Sequence, residues 1–442
     1  MKIHLHDHFT YRKLLRFTLP SVVMMVFTSV YGVVDGFFVS NYVGKTSFAA
    51  VNLIMPFLLI FGAVGFMIGA GGSALVSMTL GQGKEKQANR IFSLLIYLII
   101  AAGFVFTVLG IAVAEPVARF LGASDEMLPY CVTYGQVIML ALVPFMLQNV
   151  FQSFLVTAEK PGFGLVITVA AGCINMLLDW LFMAVLEWGI LGAAAATALA
   201  QVVGGIIPLI YFIAPNKGKL RLGRTRIDKR VIIKTCSNGL SEFMTNVSLS
   251  LTSMIYNFQL MRFAGENGVS AYGVLMYVSF IFVSVFLGFS IGTAPIIGYH
   301  YGAQNRDELK SLFKKCLLII SFVSVTLFSL AELLSGPFSS MFVGYDQELL
   351  ALSTRGFRIC SFMFLFCGSN LFGSAFFTAL NNGPVSALIS FGRTLLFQVI
   401  CVFLLPLIFG LDGIWLAIVV SEVLALVLTT VCVVTNRKKY GY

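Results

Sequence analysis

Two aspartates stand alone among apolar neighbours. Asp35, in GVVDGFFVSNYVG (32–44), is the only charged residue between Arg16 and Lys45; Asp179, in GCINMLLDWLFMAV (172–185), is the only one between Lys160 and Glu187. Asn175 precedes Asp179 by four positions, so a helix places both side chains on one face. An ionised carboxylate without partners costs several kcal/mol in such surroundings, so it must pair, hold a cation or take up a proton. The chemistry these residues can do is therefore reversible binding of a proton or a sodium ion. The competing reading has each Asp capping a break in its helix, with Gly36 helping the first. It carries less weight, because an ionisable group at membrane depth is functional by default. Pro20 lies fifteen positions before Asp35, about 22 Å along a helix, where it lets the first helix bend or simply marks its start.

The elements that must hold these residues follow from composition. Of 442 residues 58% are hydrophobic and 11% charged, and the mean hydropathy is +0.93, far above a soluble domain of ordinary composition. Apolar runs of about 20 residues, the length of a membrane-crossing helix, recur over 16–40, 48–80, 90–113, 128–157, 163–186, 191–213, 236–261, 268–299, 313–335, 352–379, 385–409 and 413–435. Barrel strands would be half as long. The first run leads straight into the second with no small-residue cleavage pattern, so it reads as a retained span. Twelve spans place Lys84, Lys86, Arg90, Lys160, the run from Lys217 to Lys234, Arg306, Lys310, Lys314 and Arg437–Lys439 on the side of the N-terminus. Both termini are then expected in the cytoplasm of a multi-pass inner-membrane protein. The net charge of +10 is explained by the membrane, not by nucleic acid. The eight cysteines form no CxxC pair and read as small packing residues.

The chain also resembles itself. Shifted by 221 residues, half of its 442, NVFQSFLVTA (149–158) falls on NLFGSAFFTA (370–379), Gly44 on Gly265, Gly81 on Gly302 and Gly192 on Gly413. This is an internal duplication. Because each half has an even number of spans, the halves are expected to be related by an axis along the membrane normal, the parallel-repeat plan of many secondary transporters. The expected division is a first six-helix lobe (1–215), a basic cytoplasmic linker (216–234) and a second lobe (235–442). Asp35 falls on Tyr256, Asp179 on Ile400 and Asn175 on Leu396, so the carboxylates belong to one half only.

These residues resemble the multidrug and toxic compound extrusion (MATE) transporters, especially the DinF-like and MepA-like bacterial branch. YGVVDGFFVSNYVG with Pro20 upstream is similar to the family's first helix, NMLLDWLF followed by GILGAAAATALAQ (189–201) to its fifth and sixth, and FGLDGIWLA (409–417), preceded by Arg393 in SFGRTLLF, to its last two. The resemblance covers nearly the whole chain. It implies an all-α membrane protein of 12 helices in two six-helix bundles related by a pseudo-two-fold along the membrane normal. It further implies export of cationic amphipathic compounds in exchange for H+ or Na+ by alternating access, no cofactor, and membrane lipids around a monomer. Carried over by position, Asp35, Asn175, Asp179 and Thr197 match a cluster that holds a proton or sodium ion, Tyr134 and Asn149 match further lining positions, and Tyr31 stands one turn before Asp35.

The second half departs from the relatives. A further branch, NorM-like, has acids in the middle of helices seven and ten; here helix seven has only Glu242 near its inner end, a substrate or ion contact or else an interfacial cap, and helix ten has none past Glu348. An interhelix pair between Arg393 and Glu422 is given little weight. A lipid-linked oligosaccharide flippase of the same superfamily is the main rival, disfavoured by the scarcity of Arg and Lys within the spans; a channel is the other. Enzymatic chemistry is not expected: HExxH and GxSxG are absent, and SLFK (311–314) fits SxxK only at a solvated helix start. HLHDH (4–8) reads as an incidental mobile cluster, and His300 as an interfacial residue.

Overall fold

In the computed structural model, which describes residues 3–215, 218–343 and 346–442, the chain is a bundle of long helices. They are α1 (Tyr11–Phe38), α2 (Lys45–Gly81), α3 (Glu85–Phe120), α4 (Leu128–Leu140), α5 (Leu142–Thr157), α6 (Pro161–Asp179), α7 (Gly189–Ile213) and α8 (Lys229–Gly302), then α9 (Arg306–Val343), α10 (Gln347–Ser361), α11 (Phe364–Ala379), α12 (Gly383–Phe391), α13 (Phe397–Leu404), α14 (Pro406–Phe409) and α15 (Leu411–Tyr440). Among the described residues nine helices are long and apolar enough to cross a membrane, and two bent pairs, α4 with α5 (58°) and α10 with α11 (51°), add two more. The remaining rod is the first part of α8, which ends where Gly265 breaks the helix. It is rich in Ser, Thr and Asn, so it falls short on hydropathy while still standing where the seventh span is expected. Asn216 and Lys217, at the start of the expected linker, lie outside the described residues.

The duplication is visible in the backbone. Positive φ angles recur in register at Gly44 and Gly265 (103° and 59°), Gly83 and Gln304 (74° and 55°), and Gly189 and Gly410 (58° and 57°). The bent pairs turn at matching positions, Ala141 and Phe362. Where α2 packs along the second part of α8, the contacts are reciprocal. A Cβ on Gly81 would lie 2.0 Å from the Tyr299 carbonyl oxygen, and a Cβ on Gly302 2.0 Å from that of Met78, the counterpart of Tyr299. Ser77 and Gly298, themselves counterparts, face each other across 2.4 Å to such a Cβ. The pseudo-two-fold axis therefore passes between α2 and α8, and only glycine lets the backbones approach so closely.

Buried apolar side chains form two clusters, one drawn from residues 39–220 and one chiefly from residues 256–442. Leu5, Phe9, Leu14 and Phe17 bury in the second cluster, although they open the chain. The segment 3–10 is thereby strapped across the basic end of the bundle. Glu159, between α5 and α6, accepts from the Leu5 N–H at 2.9 Å and lies 2.7 Å from both His4 Nδ1 and Lys219 Nζ. Glu308, in the first turn of α9, accepts from the Phe9 N–H at 2.9 Å and contacts His8 Nδ1 at 2.5 Å. The histidine cluster, expected to be incidental, is thus fastened at two glutamates that belong to different halves. His300 is correspondingly buried, 3% exposed, edge-on to Phe9. Their sequence separation of some 150 and 300 residues hid these pairings.

Candidate ion-coupling site

The site is assembled from α1, α4, α6 and α7. α1 packs on α6, α6 on α7 and α7 on α4. Gly172 sets the first contact: a Cβ there would lie 2.5 Å from the Phe27 ring and 3.0 Å from the Tyr31 ring, so a larger residue would push α1 away from α6. One turn beyond Tyr31, the Asp35 carboxyl lies beside the Asp179 carboxyl and the Thr197 hydroxyl. Tyr134, 1% exposed, directs its hydroxyl toward Thr197 within electrostatic range of both acids. Asn175 and Asp179 are 2% and 0% exposed.

The distinguishing feature is a set of buried polar atoms without a hydrogen-bond partner: Asp35 Oδ1, both Asp179 carboxylate oxygens, Asn175 Nδ2 and Thr197 Oγ1. Among the described residues no Lys, Arg or His lies within ion-pair distance of either aspartate. Buried groups left this way cost about 1–3 kcal/mol each, more when charged, and such orphans call for an explanation. The carboxylate and hydroxyl oxygens among them suit a proton or a hard cation and not a soft one, while Asn175 Nδ2 is an N–H donor free to steady a carboxylate that stays charged.

Local backbone explains part of the geometry. Asp179 is the last α-helical residue of α6, and a π-helical turn, Trp180–Val185, follows it directly. A second π turn, Val39–Val43, begins four residues after Asp35. π turns add a residue to a turn and concentrate at functional sites. The capping alternative requires a backbone N–H bond that, among the described residues, neither Asp179 oxygen nor Asp35 Oδ1 accepts, and each aspartate precedes a widened turn.

The structure places Asp35, Asp179, Thr197 and Tyr134 side by side, with Asn175 on the adjoining turn. Tyr31 belongs to the same wall, its hydroxyl facing Gln148 and within electrostatic range of Asp35. Two contributors escaped the sequence. Gln148 packs on Gly204 of α7; its position beside Asn149 was the available signal. Tyr277, in α8, approaches from the other half, its hydroxyl 3.7 Å from where a Gly36 Cβ would lie. Asn149 is buried at the α2–α5 contact, against Gly65, with Nδ2 unpartnered. α1 runs unbroken through Pro20 from Tyr11 to Phe38. Glu242 is not drawn into the cluster; the charged group in its range is Arg393.

The second half carries a different centre. Arg393 Nε lies 2.8 Å and 3.1 Å from the two Glu422 carboxylate oxygens. Asn370 Nδ2 donates to Glu422 Oε2 at 2.8 Å, and Thr429 donates to Asn370 Oδ1 at 3.1 Å. The pair given little weight from sequence is a closed, buried network. Arg393 sits in the third π turn, Gly392–Leu396, which swings it toward α15; helical spacing alone does not foresee that.

The MatE family profile matches residues 20–181 and 243–404, one copy in each half. The chain belongs to this family, the MATE transporters, and it is a membrane protein. Multidrug export protein MepA of Staphylococcus haemolyticus (strain JCSC1435) is 21% identical over 431 residues, covering 97% of this chain and 94% of that one. Among solved structures, one of MATE in complex with MaL6 aligns with a TM-score of 0.91 at 21% identity, covering 98% of this chain and 97% of the other. An outward-facing multidrug resistance MATE family transporter of the MOP superfamily aligns equally well, with a TM-score of 0.91 at 21% identity over 98% and 96%.

Proposed function

We propose that this protein exports cationic, amphipathic organic compounds across the bacterial inner membrane in exchange for a proton or sodium ion. The observation that carries the reading is the side-by-side pair of half-buried Asp35 and fully buried Asp179, with unsatisfied buried oxygens and no basic partner among the described residues. Two carboxylates in a low-dielectric pocket cannot both stay ionised without a counter-charge, and a proton or small cation supplies it. The name of the MepA relatives supports multidrug export.

In this mechanism Asp35 and Asp179 hold the ion, Asn175 and Thr197 complete its oxygen shell, and Tyr134 donates to whichever carboxylate remains charged. The basic end of the bundle faces the cytoplasm, the two halves (1–215 and 235–442, joined through 216–234) rock about the α2–α8 axis, and Glu242 faces the incoming cation. Ion binding from outside lowers the pocket's negative charge and releases the substrate cation. One charge moving through 100 mV yields about 2.3 kcal/mol, enough for substantial accumulation. A flippase needs a basic cavity for pyrophosphate; the half-buried Arg393 is already neutralised by Glu422.

The test is uptake of a fluorescent organic cation into inside-out vesicles with pH and sodium gradients imposed separately. Uptake driven by at least one gradient, and lost in both Asp35→Asn and Asp179→Asn, is expected. Gradient-driven uptake at the wild-type rate in both variants overturns the coupling role.

A further inference from the structure

The linker and the start of α3 line an open cleft of about 1730 Å³ at the basic end of the bundle. Its lining includes five basic side chains, Lys84, Lys86, Arg90, Arg224 and Arg226, against two acidic ones, Glu85 and Asp228. Asp228 is already engaged, its carboxylate accepting from the N–H groups of Arg230 and Val231 at 2.9 and 3.4 Å to cap α8. Among the described residues none of the five cations forms an ion pair.

The linker is not a loose tether. Its backbone is sewn to α3: the Arg221 N–H donates to Asn89 Oδ1 at 2.6 Å, the Gly223 N–H to Ser93 Oγ at 3.0 Å, and the Tyr97 hydroxyl to the Gly223 carbonyl at 3.2 Å. Thr225 Oγ1 donates to the Arg90 carbonyl at 2.9 Å. These bonds use main-chain groups and leave the guanidinium groups of Arg224 and Arg226 exposed beside Arg90. Arg90, Ile91, Leu94 and Tyr97 share one face of α3, so the wall passes from charged to apolar over about 10 Å of helix. Farther along that face Phe104 and Val108 are exposed, at 63% and 69%.

We propose that this cleft binds an anionic phospholipid, its phosphate held by Arg90, Arg224 and Arg226 and an acyl chain lying along the exposed Tyr97, Phe104 and Val108. Planar guanidinium groups bind phosphate in bidentate fashion, and a basic cleft at a membrane boundary is the arrangement that recognises anionic headgroups. The lipid would brace the linker between the halves. The proposal requires only that the helices span a membrane, so it stands or falls separately from ion coupling at Asp35.

The test is native mass spectrometry of the full-length protein titrated with phosphatidylglycerol or phosphatidylcholine, with soluble inorganic phosphate as competitor. Wild type is expected to retain phosphatidylglycerol at least tenfold better than phosphatidylcholine, and R90A/R224A/R226A to lose that preference. K310A/K314A/K438A, which removes the same charge from the other half, is expected to keep it, and R90K/R224K/R226K to keep part of it. Where the triple alanine variant fails to fold, R224A alone, at an exposed linker position, still lowers retention. Equal retention in wild type and R224A, or equal retention of both lipids, overturns the proposal. Full displacement by millimolar inorganic phosphate overturns the lipid assignment in favour of a soluble phosphate ligand.

Discussion

Asn370 donates from Nδ2 to Glu422 Oε2 at 2.8 Å, whereas their repeat counterparts Asn149 and Gln201 leave Nδ2 and Oε1 without partners. Duplication delivered the same two positions to both halves. In the second half Arg393 and Thr429 close the network; in the first, the counterpart of Arg393 is Gly172, which makes room for Tyr31. One half thus spends its buried polarity on structure and the other leaves it open.

Removing Arg393 leaves the Glu422 carboxylate, 5% exposed at its side chain, buried and unpaired. Loss of one partner of such a pair costs about 3–5 kcal/mol. Arg393→Met should lower the melting temperature by many degrees in a fluorescence-detected thermal scan, and adding Glu422→Gln should restore most of the loss. Asn149→Ala should change melting far less than Asn370→Ala, since only the latter breaks a made hydrogen bond.

Asp35→Asn and Asp179→Asn break no ion pair, so neither should lower the melting temperature at neutral pH, and relief of the carboxylate–carboxylate contact should leave it equal or higher. If sodium is the ion, wild type gains stability with sodium concentration as binding to the native state requires, and both variants lose that gain. A sodium-dependent rise that persists in both variants would place the ion elsewhere.

Gly81→Leu and Gly302→Leu each insert a side chain where a Cβ alone would sit 2.0 Å from a carbonyl oxygen. Both should part the halves at the basic end and by similar amounts, because the contacts are counterparts. Distances between spin labels placed on the α2–α3 turn and the α8–α9 turn report it; unchanged distances in both would show that the contact does not govern closure.

Glu159 lies outside the spans. Burial opposes its charge, but hydrogen bonds from Lys219, the Leu5 N–H and His4 outweigh burial and hold its pKa below the usual 4.5. A lowered carboxylate contributes its stabilisation above the ordinary value and loses it as pH falls through the depressed one. Protection of the amide N–H of Leu5 from hydrogen exchange should therefore persist from pH 7.5 down to pH 5. Glu159→Ala should remove it throughout, at about 1.5–3 kcal/mol per hydrogen bond to the charged group.

Much was legible from residues alone. Hydropathy gives most of the spans because a lipid-crossing backbone must satisfy itself within one helix, and the shift of half the chain length gives the repeat because glycines at close helix crossings and most positive-φ turns are kept in both halves. Asp35, Asp179 and Asn175 announced themselves as polar groups in apolar runs. What only the tertiary structure decided is partnership: which polar groups close on each other and which stay open. Arg393 meets Glu422 through a π turn, and His4 and His8 meet Glu159 and Glu308 across the width of the bundle. Such contacts depend on helix rotation and on chain segments hundreds of residues apart, and side-chain type and spacing along the sequence carry neither.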